Sequence, residues 1–272
     1  MPTFAYSSDW HLGFFSDAEP LPEFDRYADA LLVAGDAFDG PKKGQIERFL
    51  AHTAPIPTVL IIGNHDPYTS RRDKALRVLR QSFADTHVTV LNNESVVIGG
   101  VRVVGSDLWT DFELLGSRDR RSETMRRAGQ SMNDYRKITF KTNEGGFRRL
   151  SPRDTLQWHY EAREFIETAL HTSPEPIVLL THHAPFPDSV PAQYQGDDLS
   201  PAFASDLSGL FDHAGRWPEV CVHGHIHQAV KRHMLKTTLL ANPYGYQHQE
   251  VGTGFNPGAT VALSQAGEID LA

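Results

Sequence analysis

The sequence predicts an α/β fold built on two β-sheets, and three observations predict it. Three apolar runs, Thr3–Tyr6, Ala30–Ala34 and Pro57–Ile62, are each followed by a polar loop and then by helical patterning, the alternation that builds a parallel sheet. From Val88 to Gly105 the texture changes to short strands turned by Asn92-Asn93 and Gly99-Gly100, so one sheet ends and a second begins. The chain has 272 residues, 40% hydrophobic and 22% charged, the composition of an ordinary globular protein with enough length for a full core.

Taken in order, the first strand stops at Ser7-Ser8-Asp9-Trp10-His11, and a helical stretch is expected near Glu23–Ala28. The second strand stops at Gly35-Asp36-Ala37-Phe38-Asp39-Gly40, where two glycines bracket two carboxylates. Gly44–Thr53 has Ile46, Phe49 and Leu50 on one helical side. The third strand stops at Gly63-Asn64-His65-Asp66, and Arg71–Phe83 is the next helix. Open α/β sheets place their ligands at such carboxyl ends of strands.

Residues 107–150 fit no simple period. They hold Trp109, Phe112, Tyr135 and a helix-like basic stretch at Arg118–Gln130, and are expected to form an inserted cap on a single domain spanning 1–272. Pro152–His171 is a long helix, with Ser151 as N-cap and proline at its first position. Ile177–Leu180 is a strand ending at Thr181-His182-His183. A helix is expected around Pro201–Ala214, and Val220–Val222 is a strand ending at His223-Gly224-His225-Ile226-His227. Val230–Leu235, Thr238–Ala241 and Ala259–Leu263 complete the strands.

Charge is unevenly spread. Arg118–Arg153 carries eleven Lys/Arg against four Asp/Glu, while the remainder of this −8 chain holds fifteen basic and thirty acidic residues. A basic segment on an acidic body is expected to meet something negative. Arg126, Tyr135 and Arg136 are its candidate substrate contacts. The single cysteine, Cys221, allows no internal disulfide and reads as a buried strand thiol. With no signal-peptide pattern and no apolar run of membrane-spanning length, a cytoplasmic location and no membrane span are expected.

Five strand ends thus carry Asp9/His11, Asp36/Asp39, Asn64/His65, His182/His183 and His225/His227. Carboxylate, imidazole and amide oxygen together suit borderline divalent metals such as Mn, Fe or Zn, and two metals are within reach if one carboxylate bridges. Asp-x-His, Gly-Asp-x-x-Asp, Gly-Asn-His-Asp, a strand-end His and Gly-His-x-His, in this order, resemble the calcineurin-like metallophosphoesterases. The resemblance spans residues 9–227. It implies a four-layer α-β-β-α sandwich with two mixed β-sheets. It implies that Asp9, His11, Asp36 and His227 hold one metal, and that Asp36, Asn64, His182 and His225 hold the other. It further implies a catalytic His65 oriented by Asp39. Of the adjacent pair, His182 is taken as the ligand because it comes first after the strand, with His183 left to line the substrate pocket.

The activity implied is phosphomonoester or phosphodiester hydrolysis by in-line attack of a metal-bridging hydroxide, His65 assisting the leaving group. The expected partner is a phosphoester, a nucleotide among the candidates; nucleic acid is allowed but not indicated, and the oligomeric state is left open. A non-catalytic scaffold on the same fold is the alternative, although scaffold members tend to lose ligands that this chain keeps. The His-x-His-x-Asp-His pattern of a metallo-β-lactamase-like site is absent, because His225-Ile226-His227 is followed by Gln228-Ala229.

Overall fold

Alternation along the apolar runs decides the layers. In the computed structural model, which describes residues 1–116, 118–234 and 236–272, strands β1 (Thr3–Ser7), β2 (Ala30–Ala34), β3 (Thr58–Ile61) and β4 (Val88–Leu91) lie side by side in parallel. Strands β5 (Glu94–Ile98) and β6 (Val101–Ser106) form a hairpin in a second sheet. Beyond a small separate hairpin, β7 (Thr139–Lys141) with β8 (Phe147–Arg149), that sheet continues through β9 (Ile177–Thr181), β10 (Val220–His223), β11 (Val230–Met234) and β12 (Thr237–Ala241). Strands β13 (Thr260–Leu263) and β14 (Ile269–Leu271) return antiparallel to the free edge of β1. The result is two mixed six-stranded sheets, ordered β14-β13-β1-β2-β3-β4 and β11-β12-β10-β9-β6-β5. The change of sheet falls between β4 and β5, at the change of texture in the sequence.

One face of the first sheet (Phe4, Leu32, Val59, Ile61) packs on Val103, Val178, Leu180 and Val222 of the second. Its other face (Ala5, Leu31, Val33, Leu60) meets Phe49 of α1 (Lys43–Thr53) and Leu76 and Leu79 of α2 (Arg72–Ser82). The outer face of the second sheet, including buried Cys221, is covered by Ala162 and Ile166 of a later long helix and by Phe211. The architecture is therefore helix, sheet, sheet, helix.

Helix α3 (Arg118–Ser131) and the single turn α4 (Asp134–Lys137) lie in the irregular segment. The long helix, α5 (Pro152–Thr172), begins where Asp154 accepts from the backbone N–H (2.8 Å) and hydroxyl (2.6 Å) of Ser151 and returns its own N–H to the Ser151 carbonyl (2.9 Å), so the cap is reciprocal with the third helical position. A short α6 (Ser208–His213) follows.

Two helices expected from sequence are not formed. Residues 23–28 are irregular: Pro20 and Pro22 lack N–H donors, Phe24 is buried beside Trp10, and Arg26 bonds the carbonyl of His52. Packing of Phe24 fixes this crossover without a helix. The stretch expected as one helix over 201–214 is a 3₁₀ turn (Ser200–Ala202) and α6, because Ser205 and Leu207 turn their N–H groups to another loop, Ser205 to Ala184 O and Leu207 to Pro185 O, each at 3.0 Å. The last residue of the strand expected over Val230–Leu235, Leu235, lies outside the described residues. No helix among the described residues is long and apolar enough to cross a membrane.

Candidate metal centre

The parallel strands of both sheets deliver their carboxyl ends to one edge. There the backbone leaves the strands by tight, strained turns. Asp9, His11, Asp36, His225 and His227 have φ values of 55°, 47°, 53°, 68° and 52°. The left-handed region costs a residue with a Cβ about 1–2 kcal/mol, and such strain collects at functional sites. Two glycines let the loops close. A Cβ on Gly63 would lie 2.1 Å from an oxygen of Asp36, and one on Gly224 would lie 2.7 Å from Asp9 and from the carbonyl of Ala34.

Three overlapping groups of donor atoms result: Asp9, His11 and His227; His11, Asp36 and His65; Asp36, His182 and His225, each set within 4.8 Å. Asp9, His11 and His182 are completely buried. His182 donates Nδ1–H to the carbonyl of Ala34 (2.8 Å), so its Nε2 faces Asn64 Oδ1 at 2.8 Å and Asp36 at 3.3 Å. Asn64 is held in that orientation because its amide donates to Asp134 at 2.7 Å. His227 donates Nδ1–H to Glu250 (2.6 Å), leaving Nε2 3.2 Å from His11 Nε2 and 3.3 Å from Asp9. Nε2 of His225 is buried without a partner. Lone pairs thus face one another across short gaps and an imidazole nitrogen is orphaned. This is the condition of a site that wants cations.

The electrostatics agree. Burial alone would depress His182 and His227, but Asp36 and Asp9 raise His182 to about 9, and Asp9 with Glu250 raises His227 to about 10. Burial would raise Asp36; the imidazoles of His182, His65 and His11 overcome it and hold Asp36 well below the usual carboxylate range. Protons on histidines do here what a bound cation would do. His225, by contrast, is held well below its ordinary value by burial and by His183 and His182, which favours the neutral ring, the form that can offer a lone pair to a cation.

His65 belongs to the second of these groups, but both its ring nitrogens also face other side chains. Its Nδ1–H donates to Asp39 at 2.7 Å, its ring stacks on Tyr68 at 4.1 Å, and its Nε2 lies 3.0 Å from the hydroxyl of Tyr246. Asp39 also lies 3.3 Å from His11 Nδ1. Asp36, Asn64, His65, His225 and His227 line an open cavity of about 350 Å³.

A model of the calcineurin-like phosphoesterases matches residues 2–229. The chain belongs to that family. This phosphoesterase is also 28% identical, over 96% of each chain, to the uncharacterized protein L509 of Acanthamoeba polyphaga mimivirus. Among solved structures it is similar to the phosphopantetheinyl hydrolase PptH of Mycobacterium tuberculosis, with TM-score 0.61 and 17% identity over 93% of this chain and 94% of that one. It is similar too to GAP50, the anchor in the inner membrane complex of Plasmodium, with TM-score 0.50 and 12% identity over 97% of this chain and 81% of that one. Likeness at these identities shows the fold, and the same fold carries an enzyme and an anchor.

The insert departs from expectation. Tyr135 cannot stack on a ligand: it is buried among Trp109, Phe112, Ile138 and Leu150, with its hydroxyl 3.2 Å from Thr155. Arg126 is spent on Glu123 (2.6 Å) and Gln130 (2.9 Å) away from the metal-facing cavity. Arg136 binds the carbonyl of Gln130 and lines a different pocket, together with Arg127 and Asp198. His183 does not wall the cavity either. It is buried, stacked on Trp109 at 4.9 Å and 4.2 Å from His225, with Nδ1 3.2 Å from the carbonyl of Asp107. What the insert does present is its α3–α4 junction, Ser131 to Asp134, as one cavity wall.

Four residues at the site carried no sequence signal that was used. Asp66 accepts three backbone N–H bonds, from Asp36 (3.1 Å), Phe38 (2.9 Å) and Gly63 (2.6 Å), and ties two motif loops together. Asp134 aims Asn64. Tyr246 and Glu250 lie beyond the family match and touch His65 and His227. The Gly-Asn-His-Asp block itself marked Asp66, and the Tyr-rich segment after β12 marked Tyr246; neither spacing names a partner.

Proposed function

We infer that this phosphoesterase is a divalent-metal-dependent hydrolase of phosphomonoesters or phosphodiesters. In this reading Asp9, His11, Asp36 and His227 hold one ion, Asp36, Asn64, His182 and His225 hold a second, and Asp36 is shared. The observation that carries it is the convergence of donor atoms around one buried carboxylate: His182 Nε2 lies 2.8 Å from Asn64 Oδ1, and His225 Nε2 is buried without a partner. The donor set of imidazoles with carboxylates suits Mn, Fe or Zn. Ions bound there supply an acidified water and neutralise phosphoryl oxygens.

The protein's own groups do the rest. Ala34 and Glu250 fix the tautomers of His182 and His227, and Asp134 keeps the amide oxygen of Asn64 turned inward. Asp39 accepts a hydrogen bond from Nδ1–H of His65, so Nε2 is the atom presented to the cavity. Nε2–H of the imidazolium can hydrogen-bond a phosphoryl oxygen or protonate the departing oxygen; the charges of Asp36 and Asp39 outweigh burial and raise the His65 pKa, favouring that form.

The test is elemental analysis of the purified protein followed by a panel of phosphomonoesters, cyclic nucleotides, linear diesters and nucleic acid assayed with Mn. Bound transition metal and turnover of at least one ester class are expected. Metal-free protein with full activity overturns the metal assignment. No turnover with any metal moves the chain to the anchor reading that its likeness to GAP50 favours.

A further inference from the structure

A second cavity, about 370 Å³, adjoins the metal-facing one and shares Phe203, His225 and Ile226 with it. The shared ring of Phe203 stacks on His225 at 4.8 Å. From there the groove runs outward between Val190, Leu199 and Tyr194, whose ring is half exposed at the rim. Its lining is therefore mainly apolar, and its one charged residue is an acid, Asp197. No Lys or Arg is among the described residues that line either cavity, whereas Asp36, Asp134 and Glu250 line the metal-facing one. Apart from the ions, the cationic groups on these walls are the imidazoles of His227 and His65, which the reading above spends on an ion and on the phosphoryl group that reacts, so none is left to neutralise a second phosphate.

Resting on the reading above, we propose that the groove holds the organic part of the substrate. The site then takes a single phosphoryl group esterified to an uncharged, largely apolar alcohol, and disfavours nucleoside polyphosphates. The phosphoryl group is held at the ions, and the carbon chain passes over Phe203 and Ile226 into the groove, where water is displaced from apolar walls. The arginines of the insert, paired with Glu123, Asp198 and Gln130, take no part.

The experiment uses the metal-loaded full chain and n-alkylphosphonates from methyl to octyl, titrated calorimetrically and as inhibitors of a small chromogenic ester. Affinity is expected to rise by up to about fourfold for each added methylene that enters the groove. Leu199→Asp should flatten that dependence, and ATP should bind more weakly than octylphosphonate. A flat dependence in the unmodified protein, or ATP binding tightest, overturns the proposal. Because the unmodified protein alone supplies the decisive slope, misfolding of Leu199→Asp would not rescue it. The two readings fail separately. Hydrolysis of the chromogenic ester with no chain-length effect removes only the groove, and calorimetry reads the groove even if no ester is hydrolysed.

Discussion

Two regions of this phosphoesterase are rich in the side chains from which sites are made: the five strand ends and the insert at 107–150. At the strand ends, residues from Asp9 to His227 come within one cluster, three donor groups each inside 4.8 Å. In the insert several of the described charges are spent on one another or on neighbours. Arg126 and Arg127 share Glu123, Arg121 binds Glu113 and Arg148 binds Asp154. The difference lies in what dictates position. A parallel sheet sends every loop at its carboxyl edge to the same place, so polar residues there must meet. A surface helix imposes no convergence; its charges find partners three or four residues away, where solvent screens them.

The sharpest way to break this contrast is at His65, which belongs to the strand ends but lies aside from the facing donors of His182 and His227. His65→Ala should retain bound metal while kcat falls by about 10²–10⁴-fold, the usual worth of one positioned proton donor. The loss should shrink for esters whose leaving group is already acidic. Metal content by elemental analysis, alongside kcat for a good and a poor leaving group, measures both. An unchanged rate on the poor leaving group would remove His65 from the chemistry.

Much of this convergence was legible in the chain because strand ends are. An apolar run that stops at a loop carrying Asp, Asn or His marks both the strand and the loop, and β1, β2, β3, β9 and β10 each fall where such a run is found. Residues whose partners are distant in sequence were not legible. Asp134 reaches Asn64 across 70 residues and Tyr246 reaches His65 across 181, and no periodicity encodes those pairs. The insert misled for a related reason. Its basic count was plain, but pairing of Arg127 with Asp198 and burial of Tyr135 against Thr155 are tertiary facts. Residues 23–28 were misread because local helical pattern was weighed above the prolines before them.

A smaller effect is expected at Glu250, outside the family match yet 2.6 Å from His227 Nδ1. A carboxylate on the far nitrogen of a metal-facing imidazole fixes its tautomer and strengthens it as a donor, and its removal typically costs about 10–100-fold in metal affinity. Glu250→Ala should lose that much in competition with a chelator, and Glu250→Gln, which still accepts the bond, should lose less. Equal losses in both would mean that Glu250 acts through its negative charge and not through the hydrogen bond it accepts. No loss in either would place His227 outside the metal centre.

The smallest effect belongs to the insert. Arg126 is exposed and bound to Glu123 and Gln130 on its own helix, and it lines neither the metal-facing cavity nor the apolar groove. An exposed pair three residues apart is worth at most about 1 kcal/mol, and often less. Because Glu123 also binds Arg127 at 2.8 Å, even that loss is partly absorbed. Arg126→Ala should therefore shift stability by no more than about 0.5 kcal/mol and leave KM for large and small esters in the same ratio. Urea unfolding and steady-state kinetics on one long-chain and one chromogenic ester decide it. A KM that rises for the large ester alone would show that the guanidinium leaves Glu123 when substrate binds, and the insert would then join the strand ends as a part that recognises substrate.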